Sequence, residues 1–147
     1  MDMKTRFKQH IKNPYSLHDM FVRRISFKEE CVYLEFLHGY VSTNPPYQQI
    51  DGKVIIENAD LDSACVLFLS ELGKYGEFNG KKISLKEFVK EYDDFYFEIL
   101  DELYGFNQVE YIGYIRSPKI DELTQMSLSL YFSGDIVYET NEWSNCL

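Results

Sequence analysis

The sequence predicts an α+β fold: mainly antiparallel β-sheet, as a curved sheet, a sandwich or a partly open barrel, with one short amphipathic helix around 84–92. Three observations predict it. Ser84 stands three residues before Glu87, the spacing of a capping box, in which the Ser hydroxyl takes an orphan N–H and the Glu reaches back. Leu85, Phe88, Val89 and Tyr92 then share one helix face, with Lys86, Lys90 and Glu91 on the other. The remaining patterned stretches alternate with the two-residue period of a strand, and 12 Tyr and 11 Phe suit half-buried sheet faces.

In chain order, residues 1–13 read as a loose arm or a short helix, because Met3, Phe7 and Ile11 recur every four residues before Pro14. Residues 17–27 and 31–37 form a hairpin around Lys28-Glu29-Glu30. In it Phe21, Ile25 and Phe27 share one parity, interrupted by Arg23, and Val32, Leu34 and Phe36 share another. Asp51-Gly52 joins residues 47–50 and 53–57 as a tight hairpin, since both positions tolerate positive φ. The apolar run 64–69 is read as a central strand buried on both faces. A loop is expected at 73–80. Asp93-Asp94 ends the helix, and Phe95, Phe97 and Ile99 open a strand that runs to a turn at 104–107. Residues 109–115, 122–132 and 136–140 are further strands. In the second, Met126, Leu128, Leu130 and Phe132 face the core, and Gln125, Ser127 and Ser129 face water. The tail 141–147 has no pattern, although Trp143 offers a packing group.

At 147 residues the chain fits a single domain, 1–147, with no repeat or linker. A net charge of −9 argues against nucleic acid, because phosphates are repelled, and no polybasic patch suits anionic lipid. Residues 1–30 are locally basic, with Lys4, Arg6, Lys8, Lys12, Arg23, Arg24 and Lys28, and are read as offsetting the acidic body. Cys31, Cys65 and Cys146 are odd in number and far apart, which argues against a disulfide framework and fits a reducing cytoplasm. Cys31 and Cys65 are expected as small core residues. No apolar leader or membrane-spanning run is present in the sequence.

Three constellations could carry chemistry. His18-Asp19 has the form of a metal-binding pair, but His10 and His38 lack ligand-like spacing to it, and a polar pair at a strand end is the preferred reading. Asp60-x-Asp62, with Glu57 and Asn58 upstream, offers oxygen ligands for a hard cation, against which stands turn chemistry before the next strand. Glu98, Asp101 and Glu102 with Tyr104 form the third. They read as an acid/base pair, as a solvated sheet end, or as an acidic, Tyr-bearing recognition surface that steers a basic partner. Asp60, Asp62, Glu98, Asp101, Glu102 and Tyr104 are therefore the candidate binding residues. No catalytic residue is assigned, and no metal or other cofactor is expected, since no G-x-S-x-G, P-loop or G-x-G-x-x-G occurs.

The stretch YSLHDMFVRRISF at 15–27, followed by CVYLEFL at 31–37, resembles the start of small uncharacterised bacterial domains with a Tyr-x-x-His-Asp opening. Some of these occur among immunity proteins of contact-dependent or polymorphic toxin systems. NADLD at 58–62, the F-x-G-K of 78–81 and FEILDE at 97–102 are compatible with that group. The resemblance implies a stand-alone cytoplasmic β-rich protein and toxin neutralisation, and carries over no functional residue. The expected function is thus a cytoplasmic protein-binding domain with a basic protein partner, in the manner of an immunity protein. A structural or oligomer-forming domain, pairing through an edge near 53–57 or after 122, is the first alternative. A small carboxylate-dependent hydrolase using Glu98 with Asp101 or Glu102, and His18, is the second.

Overall fold

The computed structural model describes residues 2–7, 13–69 and 80–141. Its elements in chain order are β1 (Asp2–Phe7), β2 (Tyr15–Ser16), β3 (Phe21–Lys28), β4 (Cys31–Phe36), β5 (Tyr40–Ser42), β6 (Gln49–Ile50), β7 (Gly52–Ile56), β8 (Cys65–Leu69), β9 (Gly80–Ser84), α1 (Leu85–Glu91), β10 (Tyr96–Gly105), β11 (Gln108–Ser117), β12 (Ile120–Tyr131) and β13 (Ile136–Asn141). Ten strands form one open sheet in the order β1-β13-β7-β4-β3-β10-β11-β12-β8-β9, and β2-β5-β6 form a small second sheet. Every pairing is antiparallel.

The large sheet curves strongly. Strands β13 and β10 stand four places apart, about 19 Å along a flat sheet at ~4.8 Å per strand. Yet the hydroxyls of Tyr138 on β13 and Tyr104 on β10 are 3.4 Å apart. Inner-face residues from both limbs, among them Leu34, Val54 and Tyr138 on one and Phe97, Tyr111 and Leu128 on the other, join a single apolar core.

Helix α1 closes one side of that core. Ser84 Oγ accepts from the Glu87 N–H at 3.1 Å, as the capping pattern requires. Leu85 and Phe88 are fully buried, each contributing about 2 kcal/mol of apolar burial. The Phe88 ring lies 5.1 Å from Tyr92 and 5.1 Å from Phe95, so the helix is stapled to the segment that leads into β10.

The structure corrects several expectations. Residues 2–7 are strand β1, paired along its length with β13, so the basic start is a sheet edge and not an arm or a helix. Its charges do offset acidic neighbours: Lys4 pairs with Glu139, and Arg6 with Glu57 and Asp135. Residues 8–12 lie outside the described residues. Asp51-Gly52 is not a hairpin turn, because β6 joins the small sheet and β7 the large one. Gly52 is needed for room: a Cβ there would lie 2.3 Å from the Glu139 carbonyl oxygen and 2.4 Å from the Tyr40 hydroxyl. That hydroxyl sits between the carbonyl oxygens of Lys53 and Glu139 at 2.9 and 2.8 Å.

Strand β8 is second from the edge, with Val66 and Phe68 buried and Cys65, Leu67 and Leu69 half-buried. Cys31 and Cys65 are therefore half-buried and not core. Neither edge expected to pair between subunits is exposed: β7 is flanked by β13 and β4, and β12 by β11 and β8. The outer strands are β1 and β9, which carry Lys4 and Arg6, and Lys81 and Lys82. Such charges discourage edge-to-edge association. Of the expected loop at 73–80, residues 73–79 lie outside the described residues and Gly80 opens strand β9; the tail with Trp143 and Cys146 also lies outside them.

Candidate functional site

Glu98, Asp101, Glu102 and Tyr104 all lie on β10, and a β-bulge decides where each points. Ile99 pairs with Gly113 and Asp101 with Ile112, so Leu100 is the extra residue. One extra residue inverts the parity of everything after it. Before the bulge, Phe97 and Ile99 are fully buried and Glu98 is on the outer face. After it, Asp101 and Leu103 are exposed, whereas Glu102 and Tyr104 turn toward the core.

His18-Asp19 holds this bulge. The Asp19 N–H donates to the Ile99 carbonyl at 2.7 Å, and the Ile99 N–H donates to Met20 O at 3.0 Å. His18 Nδ1 lies 2.6 Å from the Leu100 carbonyl oxygen, and Nε2 lies 3.4 Å from Asp19 Oδ2. Asp19 reaches this position with a left-handed φ of 64°. Gly113 supplies the space opposite: a Cβ there would fall 1.7 Å from the Glu98 carbonyl oxygen.

On the inner side, Glu102 is directly opposite Tyr111. Its Oε1 accepts from the Tyr104 hydroxyl at 2.6 Å, and its Oε2 accepts from the Leu17 N–H at 3.0 Å. Asn13 Nδ2 donates to Tyr104 Oη at 3.1 Å, and Asn13 Oδ1 accepts from Tyr138 Oη at 3.1 Å. Burial pushes the Tyr104, Tyr138 and Tyr111 phenols up. The buried Tyr111 hydroxyl lies beside this network without hydrogen-bonding geometry to any group among the described residues. Burial also raises the Glu102 carboxyl, against the opposing effect of its hydrogen bonds from Tyr104 and Leu17 and of nearby His18.

A raised carboxyl favours the fold in its protonated form. That contribution is complete below the ordinary carboxyl range and is lost as pH rises through the raised value. Glu102→Gln removes this dependence and keeps an acceptor. The stability of Glu102→Gln relative to wild type is therefore expected to improve as pH rises from about 4 to about 8. Urea unfolding at both pH values checks it, and a difference that stays flat or moves the other way would contradict it.

On the outer side, β10, β11 and β12 form a continuous face. Register places Glu98 beside Tyr114 and Gln125, Asp101 beside Ile112 and Ser127, and Leu103 beside Glu110 and Ser129. Ser127 is buried in this face and donates to Glu110. Nine large hydrophobic side chains are exposed among the described residues, and six are on these strands or their hairpin: Tyr96, Leu103, Phe106, Tyr114, Leu123 and Tyr131. Phe106, at the hairpin tip, is 84% exposed. Exposed hydrophobics grouped on one face, unlike scattered ones, are the feature a proposal of function has to account for. The Arg23 guanidinium stacks 3.7 Å from the Tyr96 ring centroid, pairs with Asp94 and donates to the Phe95 carbonyl, which fixes one end of the face.

The sequence-predicted residues thus separate. Glu98 and Asp101 share the aromatic outer face. Glu102 and Tyr104 lie behind the sheet, so Glu102 cannot work with Glu98 across one cavity. Two surface cavities, of about 250 Å³ around Lys53 and Glu139 and about 410 Å³ between β3 and α1, both lie away from Glu102. Asp60 is on neither face. Its Oδ1 accepts from the Asp62 N–H at 3.1 Å and its carbonyl from the Ala64 N–H at 3.1 Å, which is the turn chemistry weighed against cation binding. Asp62 is almost fully exposed and 3.4 Å from Lys86 Nζ. Among the described residues, no three His, Cys, Asp or Glu side chains converge as a metal site.

The outer aromatics and the partners Asn13, Tyr111 and Tyr138 were not legible as site residues. Phe106 did leave a signal, as an apolar residue in a turn between Gly105 and Asn107. Comparison with protein-family models, curated proteins and solved structures returned no match. No helix among the described residues is long and apolar enough to cross a membrane.

Proposed function

We propose that this chain is a protein-binding domain that covers a basic partner with the outer face of β10, β11 and β12, as an immunity protein covers a cognate toxin. The clustering of Tyr96, Leu103, Phe106, Tyr114, Leu123 and Tyr131 around Glu98, Asp101 and Glu110 carries the reading. Tyr and Phe supply rigid contact area, and the carboxylates and the net charge of −9 attract cations at long range. In this reading Glu102 and Tyr104 are positioning residues that stiffen β10 from behind. The two limbs of the curled sheet are taken as the layers of a sandwich. The free thiols of Cys31 and Cys65 accord with a reducing cytoplasm.

Capture from the native host tests the proposal. A single basic protein should be retained, and its affinity should fall as ionic strength rises. Neutralising Glu98→Gln with Asp101→Asn should slow association by about tenfold at low salt and leave dissociation nearly unchanged. A salt-insensitive partner, or an acidic one, would contradict it.

A further inference from the structure

The inner network at Glu102 joins the two limbs of the curled sheet, and its protons do not suffice for the contacts it makes. Tyr104 lies on β10 and Tyr138 on β13, and their hydroxyl oxygens are 3.4 Å apart. Asn13 bridges them: its Nδ2 donates to Tyr104 Oη and its Oδ1 accepts from Tyr138 Oη, each at 3.1 Å. The rings of Tyr15 and Tyr40 pack on Tyr138 with centroids 5.3 and 5.6 Å away, which holds its hydroxyl in place.

A phenol has one proton to donate. With Glu102 ionised, the Tyr104 proton goes to Glu102 Oε1 at 2.6 Å, and the Tyr138 proton goes to Asn13 Oδ1. No proton then lies between the two hydroxyl oxygens, which face each other across the join. A proton on Glu102 removes the conflict. Oε2 takes the Leu17 N–H at 3.0 Å, so the proton belongs on Oε1. There it donates to Tyr104 Oη, and the Tyr104 proton turns to Tyr138 Oη. Glu102, Tyr104, Tyr138 and Asn13 then form one chain in which each hydroxyl donates once.

We infer that Glu102 is a proton-operated latch: its protonated form ties β10 to β13 through Tyr104 and Tyr138, and its ionised form loosens that join. Among the described residues, the groups around its carboxyl are Tyr104 on its own strand, Tyr111 on β11, Tyr138 on β13, and Asn13, Leu17 and His18 from the segments on either side of β2. Burial outweighs those of them that favour ionisation, so the tie is complete in acid and is lost as pH rises through the raised value. The latch lies behind the sheet and does not depend on what the outer face binds.

Carbon-13 NMR of the Glu102 carboxyl across pH, in the full chain, tests the latch through two variants whose signs separate it from plain electrostatics. Tyr138→Phe removes the acceptor to which the Tyr104 proton turns. It should lower the Glu102 midpoint by about 0.5 pH unit or more, since only the protonated form uses that acceptor for Tyr104. A more apolar surrounding alone would raise the midpoint. Asn13→Ala, at a half-buried position, should lower it too, because the Tyr138 proton is then released to Tyr104 and the ionised form no longer carries the conflict. Were Asn13 only a donor that favours the carboxylate, its loss would raise the midpoint. The inference is overturned if Glu102 of the wild type titrates within the ordinary carboxyl range, or if a folded variant leaves the midpoint unchanged or raises it.

Discussion

Gly113→Ala is expected to cost about 3–5 kcal/mol of folding stability, the largest single-site loss in the sheet. The reason is local. A Cβ at this position meets the Glu98 carbonyl oxygen at 1.7 Å and the Ile99 Cα at 3.1 Å. Both are backbone atoms of the bulge, so no side chain can move aside. Relief requires β10 to leave β11 at the bulge or to lose the extra residue. Losing it would turn Asp101 and Leu103 inward and Glu102 and Tyr104 outward. The hydrogen bonds linking Glu102, Tyr104, Asn13 and Tyr138 would go with it. Urea unfolding followed by near-ultraviolet circular dichroism of the tyrosines measures both effects. A variant within about 1 kcal/mol of wild type would show that the bulge is not held by this close approach.

Phe106→Ala combined with Tyr114→Ala is expected to weaken partner binding by about 100-fold or more, the scale of losing two aromatic anchors. Phe106 is exposed at the hairpin tip, and Tyr114 lies beside Glu98 in the middle of the face. Neither belongs to the apolar core, so folding stability should change by no more than about 1 kcal/mol. Asp62→Asn is the matched control: it is as exposed as any residue of the face but sits on the turn before β8, and should leave affinity unchanged. Titration calorimetry with the captured partner separates these outcomes.

How much of this was legible in the sequence depends on how local each cause is. The Ser84–Glu87 cap and the Leu85, Phe88 and Tyr92 face are set within nine residues, and α1 appears where they place it. The alternation of Met126, Leu128 and Leu130 likewise fixes the inner face of β12, although Ser127, expected in water, is buried against Glu110. The Asp60 turn and the β3–β4 hairpin are equally local.

The failures share one physical origin, pairing between distant segments. Strand β1 exists because β13 offers it an edge, and nothing between Met3 and Phe7 announces a partner more than a hundred residues away. Strand β7 lies between β13 and β4, which makes Asp51 a corner where the chain changes sheets. The bulges at Arg23 and Leu100 each shift a strand by one residue. Period-two reading therefore assigned Phe21 to the face of Ile25, whereas Val22 and Ile25 are the buried pair. For the same reason Glu98, Asp101 and Glu102 looked like one cluster. The acidic residues of β10 stand out in the sequence, but the division that puts Glu98 and Asp101 on the outer face and Glu102 on the inner one depends on the bulge at Leu100, which Gly113 and His18, on other elements, accommodate.

A hydrogen-exchange footprint of the captured complex is the most direct trial of the idea that one sheet face does the work. Slowed exchange should be concentrated in peptides covering residues 96–116 and 123–131, including the Phe106 hairpin tip, with residues 52–62 unchanged. Protection confined to the β1 or β9 edge, or to the turn around Asp60, with the Phe106 hairpin exchanging as freely as before, would place the contact elsewhere.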